Sequence, residues 1–140
     1  MSIFTISIIS LITAQILKIF TTYPFDITRI LGSGGMPSSH AAFVSTLTTL
    51  IGLKYGINSD IFAIVAVFSL VIIYDASGVR RAVGQQANVL NKLLNHLDIT
   101  KIEKDKELLK KDLKELIGHT PVEVLFGMLL GIAIAFLNTI

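Results

Sequence analysis

The sequence predicts an all-α protein of the membrane class, a polytopic helix bundle with about four transmembrane helices and amphipathic or cytoplasmic helices between the third and fourth. Three observations carry that reading. Hydrophobic residues make up 52% of the 140-residue chain and charged residues only 16%, where an average soluble chain carries about a quarter charged residues. Mean hydropathy is +0.72. Apolar runs of near-spanning length recur, separated by turns rich in glycine, proline and charge. Residues 1–140 are therefore expected to form one integral membrane domain.

The first span is expected over 3–23, with Gln15 and Lys18 as its only strongly polar interruptions. No basic residue precedes the run and no small-x-small site follows it, so a cleaved signal peptide is not expected. Tyr23-Pro24 ends the span. A loop with Asp26 and Arg29 then leads to Gly32-Ser-Gly-Gly-Met-Pro-Ser-Ser-His40. Its glycines can turn backbone N–H groups toward a ligand, Pro37 sits where a helix can begin, and Ser38 or Ser39 can cap the first turn. Such a helix start suits an anion, although an ordinary capped helix without a ligand has the same composition.

The second span, 38–55, is dotted with Ser45, Thr46, Thr48 and Thr49, which places it inside the bundle, its hydroxyls bonding neighbouring backbone. Gly56 closes it. Asn58-Ser59-Asp60 opens a third span over 60–78, whose apolar run ends at Tyr74 and gives way to Asp75, Gly78, Arg80 and Arg81. A cytoplasmic helical segment is expected over 79–117. Val79, Val83, Gln86 or Ala87, Leu90, Leu94 and Leu97 recur there at helical spacing, which suits an amphipathic helix on the membrane surface or on the bundle. Residues 100–115 alternate in charge beside a stripe of Leu109, Leu113 and Leu116, as in a solvated helix.

Gly118 stops that helix. Thr120-Pro121-Val122-Glu123 has the form of a capping box with proline at the first helical position, opening a fourth span over 120–137. Gly127 and Gly131 form a Gly-x-x-x-Gly pair, which permits close contact with a helix of this chain or of a second copy in a homo-oligomer.

Of twelve basic residues, only Lys54 falls on the side of the membrane shared by both termini. The positive-inside rule therefore predicts a multi-pass protein of the cell membrane, with termini outside and the long 79–117 segment cytoplasmic. The net charge of +2 lacks the aromatic and basic interleaving of a nucleic-acid surface, so membrane lipid and not nucleic acid is the expected partner. Zero cysteines exclude disulfides and thiolate metal sites.

That topology gathers Lys18, Ser38, Ser39, His40, Asp75, Arg80, Arg81, His119 and Glu123 at one membrane face. Two histidines, up to three cations and two helix N-termini suit a phosphate group, whose charge needs donors and whose transfer needs a nucleophile and an acid. Asp75 is expected to pair with Arg80, Arg81 or Lys18, because an unpaired carboxylate at the membrane edge is costly.

Gly34-Gly-Met-Pro-Ser-Ser-His40, Tyr74-Asp-Ala-Ser-Gly-Val-Arg-Arg81 and Gly118-His-Thr-Pro-Val-Glu123 resemble the divergent, haloperoxidase-related branch of the type 2 phosphatidic acid phosphatase family, a resemblance that spans nearly the whole chain. It implies a membrane phosphatase or phosphotransferase acting on a phosphomonoester or pyrophosphate, lipid-linked or soluble, through a phosphohistidine and without a cofactor or metal. Pro37-Ser38-Ser39-His40 matches the family's Pro-Ser-Gly-His motif apart from one serine, which implies His40 as general acid. His119 with Glu123 four residues on resembles the His-x3-Asp element, which implies His119 as nucleophile. Arg80, Arg81 and Lys18 would then hold phosphate, although Arg80 and Arg81 lie nearly forty residues before His119 where the family pattern has six. Lys18 and Arg29 are too far apart for the family's first motif.

Three other readings compete with phosphoryl transfer. One is an anion-binding or transport module without chemistry. A second is a metal site built from His40, His119, Asp75 and Glu123, which the nearby cations oppose. The third is a structural membrane protein that assembles through Gly127 and Gly131.

Overall fold

The structure is a computed structural model that describes residues 1–21, 35–96 and 118–139, with side chains in the middle stretch as far as residue 93. Its elements are α1 (Ile3–Phe20), α2 (Ser39–Tyr55), α3 (Asp60–Tyr74), a π turn (Asp75–Val79), α4 (Arg80–His96) and α5 (Pro121–Leu137). Among the described residues every regular element is helical. The loop with Asp26 and Arg29 and the helix expected over 100–115 lie outside them.

Hydroxyl caps start the helices. Ser2, Ser38 and Ser59 accept from the N–H groups of Thr5, Ala41 and Phe62, each satisfying one donor that the first turn leaves unpaired. Thr120 and Glu123 form the expected capping box, both arms present, with Pro121 in the first turn. Pro37 lies one residue ahead of the Ser38 cap, outside the helix. Gly56 closes α2 at φ +85°, a conformation that favours glycine.

The central helix is α2, which packs on α1, α3 and α5. Small side chains make these contacts close. The Gly127 Cα faces the Ser38 carbonyl and the Ala41 methyl, and Gly131 faces the Ala42 carbonyl and Thr46. Thr46 Oγ1 donates across to the Gly131 carbonyl at 2.9 Å, sharing its hydrogen with the Ala42 carbonyl at 2.8 Å. Thr48 meets Ser69 of α3 at 2.8 Å. The Gly-x-x-x-Gly face is thus filled by α2 of the same chain. Of the two partners that the spacing allows, a helix of this chain is the one seen against Gly127 and Gly131.

Polarity is inverted relative to a water-soluble bundle. The buried side chains include Ser7, Ser10, Lys18, Ser45, Thr46 and Ser69, while Ile64, Val67, Phe68, Leu70 and Val71 of α3 face outward. Hydroxyls inside and large apolar groups outside is the arrangement a lipid surround favours. Ile3–Phe20 and the continuous Asp60–Leu93 helix are each long and apolar enough to cross a membrane. The apolar α5 has 17 residues.

The third span and the amphipathic helix after it are continuous: α3 runs through the π turn directly into α4. The Arg80 N–H reaches back to the Asp75 carbonyl, the i→i+5 bond that defines such a turn. Charge and glycine after Tyr74 therefore mark a local widening of one helix.

Candidate active site

Lys18 near the end of α1, His40 in the first turn of α2, Asp75 and Arg80 at the π turn, and His119 ahead of α5 converge at one end of the bundle. Three hydrogen bonds to backbone carbonyls produce this. The Ser38 N–H donates to the Glu123 carbonyl at 2.9 Å, locking the starts of α2 and α5 together. The His119 N–H donates to the Ala76 carbonyl at 2.9 Å, docking the α5 entry on the π turn. The Thr21 hydroxyl donates to the Met36 carbonyl, joining the end of α1 to the approach to α2.

Gly118 makes the second tie possible. Its φ of +102° favours glycine, and a Cβ there would collide with the Arg80 and Arg81 backbone. The chain can press against the helix at that point only without a side chain.

The imidazole rings of His40 and His119 lie 6.5 Å apart between centroids, tilted by 57°. His40 is exposed, whereas His119 is only 3% exposed. His119 Nδ1 faces Glu123 Oε2 at 3.3 Å. That carboxylate oxygen also accepts the Thr120 N–H at 2.8 Å, so the cap and the imidazole share one acceptor. A carboxylate accepts, which makes Nδ1 the donor and leaves the Nε2 lone pair free. Nε2 is buried and has no hydrogen-bond partner. Burial holds the His119 pKa below the ordinary histidine value, the Lys18 charge and His40 push the same way, and the charge and hydrogen bond of Glu123 oppose them. Burial thus favours the neutral ring.

Lys18 is 1% exposed, and its Nζ donates to Ser39 Oγ at 3.5 Å. It does not snorkel to solvent; it points into the bundle beside the histidines. Arg80 Nε pairs with Asp75 Oδ2 at 2.6 Å on the exposed side. Arg80, Lys18 and Asp75 lie near enough to His40 for their charges to act on it. Arg81 contributes backbone beneath Gly118, and its side chain is exposed. Ser38 has its N–H on Glu123 and its Oγ on the Ala41 N–H, so it binds the two helices together. The donors His40, His119, Asp75 and Glu123 do not gather into a group of three or more that could hold a metal ion.

The sequence reading did not identify the Ala76 carbonyl or Gly118 as parts of this corner. The signal available for Gly118 was its place directly before a histidine and a capping box, which reads equally as a helix stop.

Residues 1–134 match the family described as the Divergent PAP2 family. The chain is 40% identical over 141 aligned positions to the uncharacterized membrane protein YuiD of Bacillus subtilis (strain 168), an alignment covering 90% of this chain and 86% of that protein. No solved structure matches the chain. With all three motif segments inside the matched region and two of their histidines facing one another, the chain belongs to the divergent PAP2 family of membrane proteins.

Proposed function

We propose that this protein is a membrane-embedded phosphatase or phosphotransferase that acts on a phosphomonoester or pyrophosphate, carried by a lipid or a soluble molecule, through a phosphohistidine. The observation that carries the reading is the buried, unpartnered Nε2 of His119, oriented through Nδ1 by Glu123, with the His40 ring 6.5 Å away. His119 Nε2 attacks phosphorus as His40, protonated, gives its proton to the leaving oxygen. Neutral His40 then takes a proton from water, which attacks the phosphohistidine and releases phosphate. Lys18, with the Ser39 hydroxyl beside it, and Arg80 neutralise charge on the equatorial oxygens, with Arg81 at the rim, and Asp75 holds the Arg80 guanidinium in place. The proposed setting is four spans, α1, α2, α3 with the π turn, and α5, with termini outside and the site just beneath the cytoplasmic headgroups.

Purified protein in lipid bilayers, given a panel of lipid and soluble phosphomonoesters and diphosphates, tests this. Wild type is expected to release phosphate and to trap an acid-labile phosphoryl group. His119→Ala loses both, and His40→Ala slows turnover by about 10²–10⁴-fold, the usual reach of a general acid. Equal release by all three proteins overturns the catalytic pair. Saturable vanadate binding that Arg80→Ala abolishes, with no turnover of any substrate, would instead identify an anion-binding module.

A further inference from the structure

We propose that two copies of the chain pair through α4 as a parallel, in-register two-stranded coiled coil whose seam is Val79, Val83, Gln86, Leu90 and Leu93. These five follow the 4-3-4-3 spacing that defines such a seam. Gln86 is exposed, and the four apolar members are each about half exposed. Gly84, Ala87 and Asn91, on the side of the helix next to the seam, are already buried within the chain.

Length argues that this seam stands in water. The unbroken Asp60–Leu93 helix has 34 residues, about 51 Å at 1.5 Å per residue. The hydrocarbon core takes ~30 Å, or about 20 residues. With α3 in the bilayer, Arg80 and Arg81 fall at the headgroups and most of α4 projects beyond them. An apolar stripe there needs protein cover.

Pattern argues for a second copy over lipid. The stripe has Gln86 at its centre, an amide that would be left without a partner against lipid tails. One polar residue within a seam fixes register between like helices. The flanking Ala82 and Val89 are uncharged, and Arg80, which flanks the start of the seam, is paired with Asp75. Copies embedded in one membrane share a direction, and a two-fold axis along its normal makes their α4 helices parallel.

The seam exposes on the order of 300–400 Å² of apolar surface per helix, a patch size that calls for a partner but is about half of the ~800 Å² per partner typical of stable interfaces. The rest comes from α3. A π turn takes one residue more than an α turn, so the step from Val71 to Val79 amounts to two α turns. It keeps the seam in line with Ile61, Ile64, Phe68 and Val71, all exposed. The pairing rests on α3 entering the bilayer and is independent of phosphoryl transfer.

The chain has no cysteine, so single-cysteine variants report contact cleanly. Val83→Cys and Leu90→Cys place thiols on the seam, and Gln85→Cys and Asn88→Cys place them on other faces. With full-length protein in native membranes and copper phenanthroline as oxidant, disulfide-linked dimer is expected to be at least tenfold more abundant at the seam positions. Equal cross-linking at all four positions indicates collision and overturns the proposal. So does an absence of cross-linking at 83 and 90, and bromolipid quenching of a fluorophore at Leu90→Cys would then place the stripe in lipid. Independently, Gln86→Leu raises the dimer fraction at fixed protein-to-detergent ratio; an unchanged or lower fraction overturns the seam.

Discussion

Glu123 accepts the Nδ1–H of His119 at 3.3 Å while capping α5 through the Thr120 N–H at 2.8 Å, so one carboxylate both starts a helix and orients an imidazole. The two tasks separate chemically. Gln at this position keeps an oxygen acceptor for both N–H groups but removes the negative charge that stabilises the ring as it becomes cationic. Glu123→Gln is therefore expected to lower kcat by about 10- to 100-fold, the usual cost of an outer-shell partner, with a nearly unchanged melting transition. Glu123→Ala is expected to lose the cap as well, about 1 kcal/mol of stability. Turnover and thermal unfolding of both variants in the same lipid check this; equal kcat for wild type and Glu123→Gln removes Glu123 from the mechanism.

Depression of the His119 pKa by burial sets a pH dependence with a definite sign. Unfolded, the ring titrates near ~6.5; folded, it does so lower. The folded state then binds fewer protons in the interval between the two values, so stability contributed by neutral His119 is fully present above the unfolded value. It is lost progressively as pH falls through the folded one. Melting temperatures from pH 8 down to pH 5 are expected to fall more steeply for wild type than for His119→Gln, which has no proton to gain. Parallel slopes would show that the ring is not depressed.

Much of this corner is legible in the sequence because caps and motifs are local. Ser38 and the Thr120–Glu123 box act through hydrogen bonds within one turn, and the resemblance places His40 and His119 together. What escapes is whatever depends on a partner distant in sequence. Lys18 reads as a cation at the site's end of the first span, but nothing local shows that Ser39 will lie against it. Asp75-Ala-Ser-Gly reads as a stop, because charge and glycine normally end an apolar run; the Ala76 carbonyl that receives the His119 N–H shows only once the helix is seen to continue as a π turn. The partner of Gly127 and Gly131 was open for the same reason, since spacing permits close approach without naming the helix that makes it.

Those glycines give a prediction about packing. A methyl at Gly127 would run into the Ser38 carbonyl, and one at Gly131 into the Ala42 carbonyl, both backbone atoms that cannot rotate away. Gly127→Ala and Gly131→Ala are each expected to cost about 1–3 kcal/mol, the range for overpacking a tight contact. They differ in reach. Gly127 abuts the residue that carries the α2–α5 tie, two positions before His40, so its substitution is expected to depress turnover beyond the stability loss, while Gly131→Ala leaves kcat of the folded fraction unchanged. Unfolding in graded denaturant with activity normalised to folded protein separates the two.

Gly118 offers the sharpest separation of fold from site. Its backbone sits at φ +102° and against Arg80 and Arg81, so Gly118→Ala meets both a conformational penalty and a collision. A non-glycine residue forced into such a region costs of order 1–3 kcal/mol. The four-helix packing around α2 does not pass through this residue, whereas the His119 N–H bond to Ala76 is one residue away. The expected outcome is a protein that stays helical and membrane-inserted but whose His119 moves off the Ala76 carbonyl. Turnover should fall by at least tenfold, and the His119 amide should exchange with deuterium faster than in wild type. Gly118→Asn, which tolerates positive φ but still carries a Cβ, should remain impaired, because the collision persists when the backbone strain is eased. Full activity in Gly118→Asn would mean that conformation alone matters there and that the close approach to Arg80 and Arg81 is dispensable.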